Sequence, residues 1–213
     1  MELNSGRLKE PTYVIGVAGG IASGKSLVSQ RLAQLGGELI DADQIGHGVL
    51  REPEVKQALR HRWGDAILDG EGEIDRKQVA KIVFAPPHDG PAELAYLETV
   101  THPRIGQRIH ERCQDLAREN RATPVILDAA VMFKAGWDRM CDMVVFVDAP
   151  REVRRERAAR RGWREAEFAV REAAQESLDI KRRRADVIID NSSTTDHLYA
   201  QVDRFWQSLE HHR

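Results

Sequence analysis

Residues 19–26 read GGIASGKS, and this stretch decides the fold of the chain. It fits the pattern G-x-x-x-x-G-K-S/T, in which glycines let backbone amides turn inward around a phosphate group. A short apolar run over residues 13–18 precedes it and predicts a buried strand, and apolar residues at helical spacing follow it. A strand, a glycine-rich loop and a helix in this order are the setting in which the pattern binds nucleotides. The sequence therefore predicts a nucleotide-binding α/β protein.

The loop residues have distinct expected contacts. Lys25 brings a point charge to the β- and γ-phosphates, and the Ser26 hydroxyl can ligate Mg²⁺. The following helix directs the positive end of its dipole at the same place. The chain has no Asn-Lys-x-Asp sequence to read guanine, which disfavours a GTPase. We therefore expect ATP and Mg²⁺, with ATP held by Gly20, Ile21, Ala22, Ser23, Gly24, Lys25 and Ser26.

Further strands are predicted along the chain. A short strand at Leu39-Ile40 follows the first helix, and near-continuous apolar runs follow at residues 124–128, 143–148 and 187–190. Such runs are typical of parallel strands that are covered on both faces. Alternation of strands with helical segments predicts a parallel sheet flanked by helices. The expected fold is therefore the α/β fold of P-loop NTPases.

The 213 residues are predicted to form one domain with an inserted lobe. The domain spans residues 13–213, and its core is formed by residues 13–43 and 124–213. Residues 44–120 show mostly helical patterns broken by turn signals, which indicates a helical lobe. Residues 1–12 are expected to be a flexible extension.

Composition excludes several classes of protein. With 41% hydrophobic and 31% charged residues, the chain is neither collagenous, nor low-complexity, nor a membrane bundle. A net charge of −2 argues against a nucleic-acid binder, which would be strongly basic. Cys113 and Cys141 lie 28 residues apart, a spacing that supports neither a zinc site nor a disulfide framework. We expect a cytoplasmic protein, because no signal peptide or apolar run of about 18 residues occurs.

Arginine is concentrated late in the chain, within a helical segment over residues 151–184. Such a cluster can be a solvated helix face or a nucleic-acid patch. In a P-loop protein it can also be a mobile lid that brings arginines onto the transferred phosphoryl group and excludes water. The cluster has seven arginines in fourteen residues: Arg151, Arg154, Arg155, Arg157, Arg160, Arg161 and Arg164.

Two strand ends carry aspartates that have two possible roles each. Asp43 follows the second strand, where it could orient an attacking hydroxyl and accept its proton, or cap the next helix. Asp128 ends the third strand, where it could hold Mg²⁺ through water or cap the next turn. The carboxyl ends of strands in an open α/β sheet face the ligand crevice. The residue pattern by itself leaves both pairs of alternatives open.

The lobe contains a long predicted helix over residues 93–118, after a break at Pro86-Pro87. We expect His102-Pro103 to interrupt this helical stretch, because proline removes a helical hydrogen bond. A lone histidine such as His102 is more often structural than functional.

These features together resemble the dephospho-coenzyme A kinase family along most of the chain. The phosphate loop is common to many folds, whereas Asp-Ala-Asp followed by His-Pro-x-Ile is far more specific. The markers are residues 19–26, 40–43, 102–105, 133, 135–138, 142, 160, 162, 171, 175, 181–182, 185–186 and 189–191. The resemblance implies phosphorylation by ATP of the ribose 3′-hydroxyl of dephospho-coenzyme A. It also implies a core like that of nucleoside monophosphate kinases, a substrate-binding helical lobe, and a lid.

The resemblance also implies roles for individual residues. Asp43 is expected to be the base for the acceptor hydroxyl, and Lys25 is expected to be a second catalytic residue. The lid arginine that meets the phosphates becomes Arg160, with Arg157 also at ATP, and Asn191 becomes a candidate for adenine. The expected metal ligands are Ser26 and Asp128. The expected acceptor residues are Asp43, His47, His102, Phe133 and Lys134. The implied partners are the two small-molecule substrates, without nucleic acid or membrane.

One stretch departs from the family pattern. Residues 130–134 read AVMFK, where the family usually has Pro-Leu-Leu-(aromatic)-Glu. A glutamate has thus become Lys134, a charge reversal beside the expected acceptor site. Two other functions therefore stay open: a kinase for another small hydroxyl acceptor such as a nucleoside monophosphate, and a nucleotide- or coenzyme A-binding protein without turnover.

Overall fold

The computed structural model describes residues 13–85, 90–119 and 123–210. Its strands are β1 (Val14–Gly19), β2 (Glu38–Asp41), β3 (Val125–Asp128), β4 (Met143–Asp148) and β5 (Val187–Asp190). Its helices are α1 (Lys25–Gln34), α2 (Ala42–Val49), α3 (Pro53–Trp63), α4 (Arg76–Val83), α5 (Gly90–Arg118), α6 (Met132–Ala135), α7 (Arg151–Arg160), α8 (Glu165–Ala173), α9 (Leu178–Arg184) and α10 (Thr195–Glu210). Short 3₁₀ turns occur at Asp65–Ile67 and Trp137–Met140.

The five strands form one parallel sheet in the order β2-β3-β1-β4-β5. This confirms the predicted α/β fold with a parallel sheet flanked by helices. The chain leaves β1 towards β2 on one side and leaves β3 towards β4 on the other, so the connections diverge between β1 and β3. Ligands of open α/β sheets bind at the carboxyl ends of the strands beside such a switch point. The loop over residues 19–26 lies there.

Both faces of the three central strands β1, β3 and β4 are buried, which explains their near-continuous apolar sequences, whereas Leu39 and Ile188 of the edge strands are exposed. On one face, Val17 and Val145 pack with Val28 of α1 and Val202 of α10. On the other face, the strand residues share a continuous core with α2, α3, α4, α5 and α6. The apolar residues of the helical lobe are therefore continuous with the sheet's own core.

The long helix of the lobe differs from its prediction at one point. α5 spans Gly90–Arg118 and contains Pro103, so His102-Pro103 does not interrupt it. A proline inside a helix costs about 3 kcal/mol. Burial of Thr101, Ile105 and Ile109 along the same helix offsets this cost. The predicted break at Pro86-Pro87 lies outside the described residues, as does the extension over residues 1–12.

The arginine-rich segment consists of three helices, α7, α8 and α9. Gly162 has φ +84° and lies in the turn that follows α7. Across the described parts of the chain, no helix is long and apolar enough to cross a bilayer.

Candidate active site

The loop between β1 and α1 is a tight turn with free backbone amides. The Ser23 N–H donates to the carbonyl oxygen of Gly20 at 3.0 Å and closes the turn. Within the described residues, several amides of this loop have no hydrogen-bond partner, among them those of Ala22, Gly24, Lys25 and Ser26. Unpaired amides at the beginning of a helix attract anions, because their partial charges add to the helix dipole. The loop is therefore a phosphate cradle, as its sequence predicts.

Glycine is required at position 24 for two reasons. Gly24 has φ +95°, in the left-handed region that side chains disfavour. A Cβ at this position would also lie 2.0 Å from Nδ2 of Asn191. The second glycine of the motif thus makes room for a side chain that lies far away in sequence.

Asn191 and Arg157 hold the phosphate loop from the side of β5. Nδ2 of the buried Asn191 donates to the carbonyl oxygen of Ser23 at 2.7 Å, and Nη1 of Arg157 donates to the same oxygen at 3.1 Å. Nη2 of Arg157 donates to the backbone oxygen of Asn191 at 3.0 Å and to its Oδ1 at 3.2 Å. These residues therefore fix the loop, a role that the sequence did not indicate. Their contact with ATP stays a prediction.

Lys25 lies between the loop and the acidic strand ends. Its Nζ forms an ion pair with Oδ1 of Asp128. Burial lowers the pKa of Lys25, whereas the negative charges of Asp43 and Asp41 oppose this shift. Register pairing of Asp41 with Asp128 places the ends of β2 and β3 side by side. The structure thus brings Lys25, Asp128 and Asp43 together.

Asp41, not Asp43, caps α2. The Asp41 carboxylate accepts the N–H groups of Asp43 at 2.9 Å and Gln44 at 3.1 Å. The alternative in which Asp43 is the helix cap is therefore wrong. The exposed Asp43 lies in the first turn of the helix, where its carboxylate is not used for capping. That carboxylate can consequently meet an acceptor hydroxyl.

The proposed metal ligands are oxygen donors of the kind that Mg²⁺ prefers. Ser26 is exposed in the first turn of α1, and the Asp128 carboxylate is paired with Lys25 rather than with a turn amide. The described residues contain no cluster of three or more His, Cys, Asp or Glu side chains that could hold a metal by themselves. Mg²⁺ in kinases usually keeps several waters and takes one or two protein oxygens plus substrate phosphates. The residues present fit that mode of binding.

The arginines of the arginine-rich segment differ in their contacts. Several are held by glutamates of the same segment: Arg151 and the buried Arg154 pair with Glu172, and Arg155 pairs with Glu165. Arg160, in contrast, is exposed at the end of α7 and has no ion pair with any described carboxylate. The guanidinium of Arg160 is therefore available to an incoming phosphate.

Lys134 has a local counter-charge. Its Nζ lies 2.6 Å from Oε1 of Glu98, which precedes His102 by one helical turn on α5. Burial lowers the pKa of His102, Glu98 raises it, and Lys134 lowers it further. The His102 ring also packs edge-on against Trp137 with ring centroids 5.5 Å apart. The charge reversal at position 134 is therefore compensated by Glu98, a contact that the sequence pattern did not indicate.

The two other predicted acceptor residues lie apart. The buried Phe133 has Cζ of Arg184 4.5 Å above its ring. His47, on α2 one turn after Asp43, lines a cleft of about 610 Å³ together with Arg51 and Arg76. His47 lies on the same helix as Asp43, α2, and Phe133 lies on the same helix as Lys134, α6.

Two residues near the loop had no assigned role in the sequence analysis. Oε1 of Gln175 accepts the Ile21 N–H at 3.0 Å. Lys181 is buried within the arginine-rich segment, with 3% of its surface exposed. No local pattern distinguishes a buried lysine from its exposed neighbours in the run Lys181-Arg182-Arg183-Arg184.

A parallel sheet, a phosphate cradle, a lysine at strand ends and a free arginine on a nearby helical segment are the parts of a P-loop kinase. A solved structure from Thermus thermophilus matches with a TM-score of 0.76 at 29% identity, covering 94% of this chain and 99% of the other. The dephospho-CoA kinase from Campylobacter jejuni matches with a TM-score of 0.67 at 27% identity, covering 92% and 96%. A shikimate kinase from Acinetobacter baumannii, at 16% identity and a TM-score of 0.53, shows the fold alone.

The family follows from the sequence comparisons. The family model described as dephospho-CoA kinase matches residues 13–197. The dephospho-CoA kinase of Symbiobacterium thermophilum is 39% identical over 198 residues, which cover 92% of this chain and 80% of the relative. That of Thermobifida fusca is 37% identical over 199 residues, which cover 92% and 96%. The chain therefore belongs to the dephospho-CoA kinase family and is a phosphotransferase.

Proposed function

We propose that this protein transfers the γ-phosphoryl group of ATP to the ribose 3′-hydroxyl of dephospho-coenzyme A, which yields coenzyme A and ADP. The observation that carries this proposal is the position of Asp43. Its carboxylate is exposed beside the strand ends that also hold Lys25, and Asp41 leaves it free by capping α2. Membership of the dephospho-CoA kinase family supports the choice of acceptor.

Catalysis in this site consists of positioning and charge neutralisation. The free loop amides and Lys25 hold the phosphate chain, and Asp43 orients the acceptor hydroxyl and accepts its proton. Arg160 meets the developing charge on the transferred group when the lid closes. Closure also excludes water, which would otherwise compete with the acceptor.

Ser26 and Asp128 would hold Mg²⁺ beside the phosphates. When bound, the metal would neutralise charge on the phosphates. Asp128 would act through water, because its carboxylate already pairs with Lys25. The pairing also keeps the Lys25 ammonium at the edge of the sheet, next to the loop.

The acceptor binds, in this proposal, between the core and the helical lobe over residues 44–120. His47, His102, Phe133 and Lys134 line its path, with the ion pair of Lys134 and Glu98 in place of the family's glutamate. Residues 151–184 form the lid. We further propose that the protein works in the cytoplasm on ATP and dephospho-coenzyme A, without nucleic acid or membrane as partner.

An ADP-release assay with and without dephospho-coenzyme A tests the activity directly. We expect release to depend on this acceptor and to exceed the rate with nucleoside monophosphates. Stimulation by another acceptor and not by dephospho-coenzyme A would assign a different kinase activity. Binding of both substrates without product would mean a protein without turnover.

The Asp43→Asn variant tests the catalytic role. It should lower kcat by about 10²–10⁴-fold, the usual contribution of a general base, and leave the Kd for ATP within about 2-fold. Asp196→Asn removes an exposed carboxylate from the first turn of α10 and serves as the matched control. Wild-type turnover in Asp43→Asn would remove Asp43 from the mechanism.

A further inference from the structure

The segment that joins α8 to α9 rests directly on the phosphate loop. Oε1 of Gln175 accepts the Ile21 N–H at 3.0 Å. Cδ2 of Leu178 lies 3.1 Å from the position that a Cβ on Gly20 would occupy. These two contacts, three residues apart, fix the beginning of α9 against the first half of the loop.

Lys181 lies on the same face of α9 as Leu178. Residues three apart on a helix share a face, and α9 begins at Leu178. Since Leu178 contacts the loop, Lys181 is directed to the same side. The positive charge of Lys25 lowers the pKa of Lys181, after the larger effect of burial, which agrees with the two ammonium groups being neighbours.

Lys181 has no counter-charge at contact distance. It is 3% exposed, no carboxylate of the described residues lies within 4.0 Å of its Nζ, and its side chain makes no hydrogen bond with them. Glu176 attracts it from farther away, but Oε1 of Glu176 pairs with Nη1 of Arg184 at 3.6 Å. A lysine that is this enclosed, and whose ammonium has no partner, is costly. The phosphate loop, on which Leu178 of the same helix face rests, is a place for the missing anion.

We propose that Lys181 is a second phosphate-binding lysine, which contacts the phosphate chain of the nucleotide from the lid side while Lys25 contacts it from the loop side. The proposal rests on the proposed function only in requiring that ATP phosphates occupy the loop. The nucleotide then supplies the anion that the Lys181 ammonium lacks, next to the Lys25 ammonium that Asp128 already pairs with. Gln175 and Leu178 hold α9 in the position from which Lys181 reaches it.

Lys181→Met tests the proposal, because binding and stability should change in different directions. Calorimetric titration should show ATP binding weakened by about 10–100-fold, the range for loss of a charge-assisted hydrogen bond. The Tm without nucleotide should be unchanged or higher, because an apolar side chain of similar size replaces an unpaired buried charge. Lys181→Arg should restore most of the ATP affinity. Arg183→Met removes an exposed cation of the same helix and should bind ATP like the wild type.

Three outcomes would overturn the proposal. ATP affinity of Lys181→Met within about 2-fold of the wild type would mean that Lys181 does not contact phosphate. Loss of stability without nucleotide, with no rescue of ATP binding by Lys181→Arg, would assign the lysine to packing. Equal loss of ATP affinity in Arg183→Met would assign the effect to general charge. Failure of the proposed activity is a separate result, seen when wild-type protein binds ATP but does not phosphorylate dephospho-coenzyme A.

Discussion

Replacing Asn191 with alanine removes the side chain that links β5 to the phosphate loop. The substitution deletes the Nδ2 hydrogen bond to the Ser23 carbonyl, at 2.7 Å, and the Oδ1 hydrogen bond from Arg157, at 3.2 Å. The change is local, because Asn191 is 2% exposed and its backbone N–H still donates to the Asp148 carbonyl at 2.7 Å.

The expected cost follows from these two bonds. A neutral buried hydrogen bond contributes about 0.5–1.5 kcal/mol, and one to a charged group about 1.5–3 kcal/mol. For the second bond we use the lower end of the charged range, because Nη2 of Arg157 still donates to the backbone oxygen of residue 191, at 3.0 Å. The Ser23 carbonyl likewise still accepts a hydrogen bond from Nη1 of Arg157, at 3.1 Å. We expect the free energy of unfolding to fall by about 2–3 kcal/mol, or Tm to fall by about 4–12 °C for a chain of this size.

Urea unfolding and calorimetry without nucleotide measure this loss. Ser193→Ala, an exposed neighbour, should change the unfolding free energy by less than about 0.5 kcal/mol. A double-mutant cycle with Arg157→Met should give a coupling energy of at least about 0.5 kcal/mol, since the two side chains share a bond. An Asn191→Ala protein with wild-type stability and lost ATP affinity would refute the bracing role and leave adenine contact as the function of Asn191.

The remaining predictions concern titratable groups. Lys134→Glu should raise the pKa of His102, measured by NMR titration of the imidazole, because it removes a nearby cation and adds a carboxylate beside Glu98. Arg139→Glu makes the same charge change at another exposed site and is the control; an unchanged pKa in Lys134→Glu would contradict the electrostatic link. Burial raises the pKa of Cys141 to about 12, so only about one thiol in 10⁴ is ionised at pH 8. Iodoacetamide should alkylate it far more slowly in native protein than in urea, by mass spectrometry, and equal rates would contradict its burial.

The pKa of His102 also affects stability. Because burial holds this pKa below the usual value of 6.5, the unfolded chain binds a proton more readily than the folded chain. The contribution of neutral His102 to stability is therefore present above pH 6.5 and is lost as the pH falls through the lower folded-state pKa. Lys134→Glu should narrow the pH range over which this stability is lost, because it raises the pKa of His102 in the folded state towards 6.5.

Most of the fold was predictable because its signals are contiguous. The predicted strands at residues 143–148 and 187–190 coincide with β4 and β5. The predicted strand over residues 13–18 differs from β1 by one residue at each end. Apolar runs of this length have few alternatives to a buried strand. The error at Pro103 has a tertiary cause: a local rule ends a helix there, whereas packing of the flanking residues keeps α5 continuous.

The candidate site was predictable only in part. The pattern over residues 19–26 identifies the loop. The position of Asp43 after the second predicted strand makes it a candidate site residue. Whether Asp41 or Asp43 caps α2 depends on backbone angles that the sequence leaves open. The compensation of Lys134 by Glu98 spans 36 residues, beyond any local pattern.

The amino-acid sequence alone thus settles the phosphate loop, the parallel sheet and the family, because each depends on residues that are neighbours along the chain. Only the tertiary structure decides what surrounds the loop. Asn191 reaches Ser23 across 168 residues, and Gln175 reaches Ile21 across 154. Parallel strands need long crossover connections, so groups that meet at one edge of the sheet come from distant segments. The opening GGIASGKS identifies where phosphates bind, and the folded chain decides which side chains hold that loop in place.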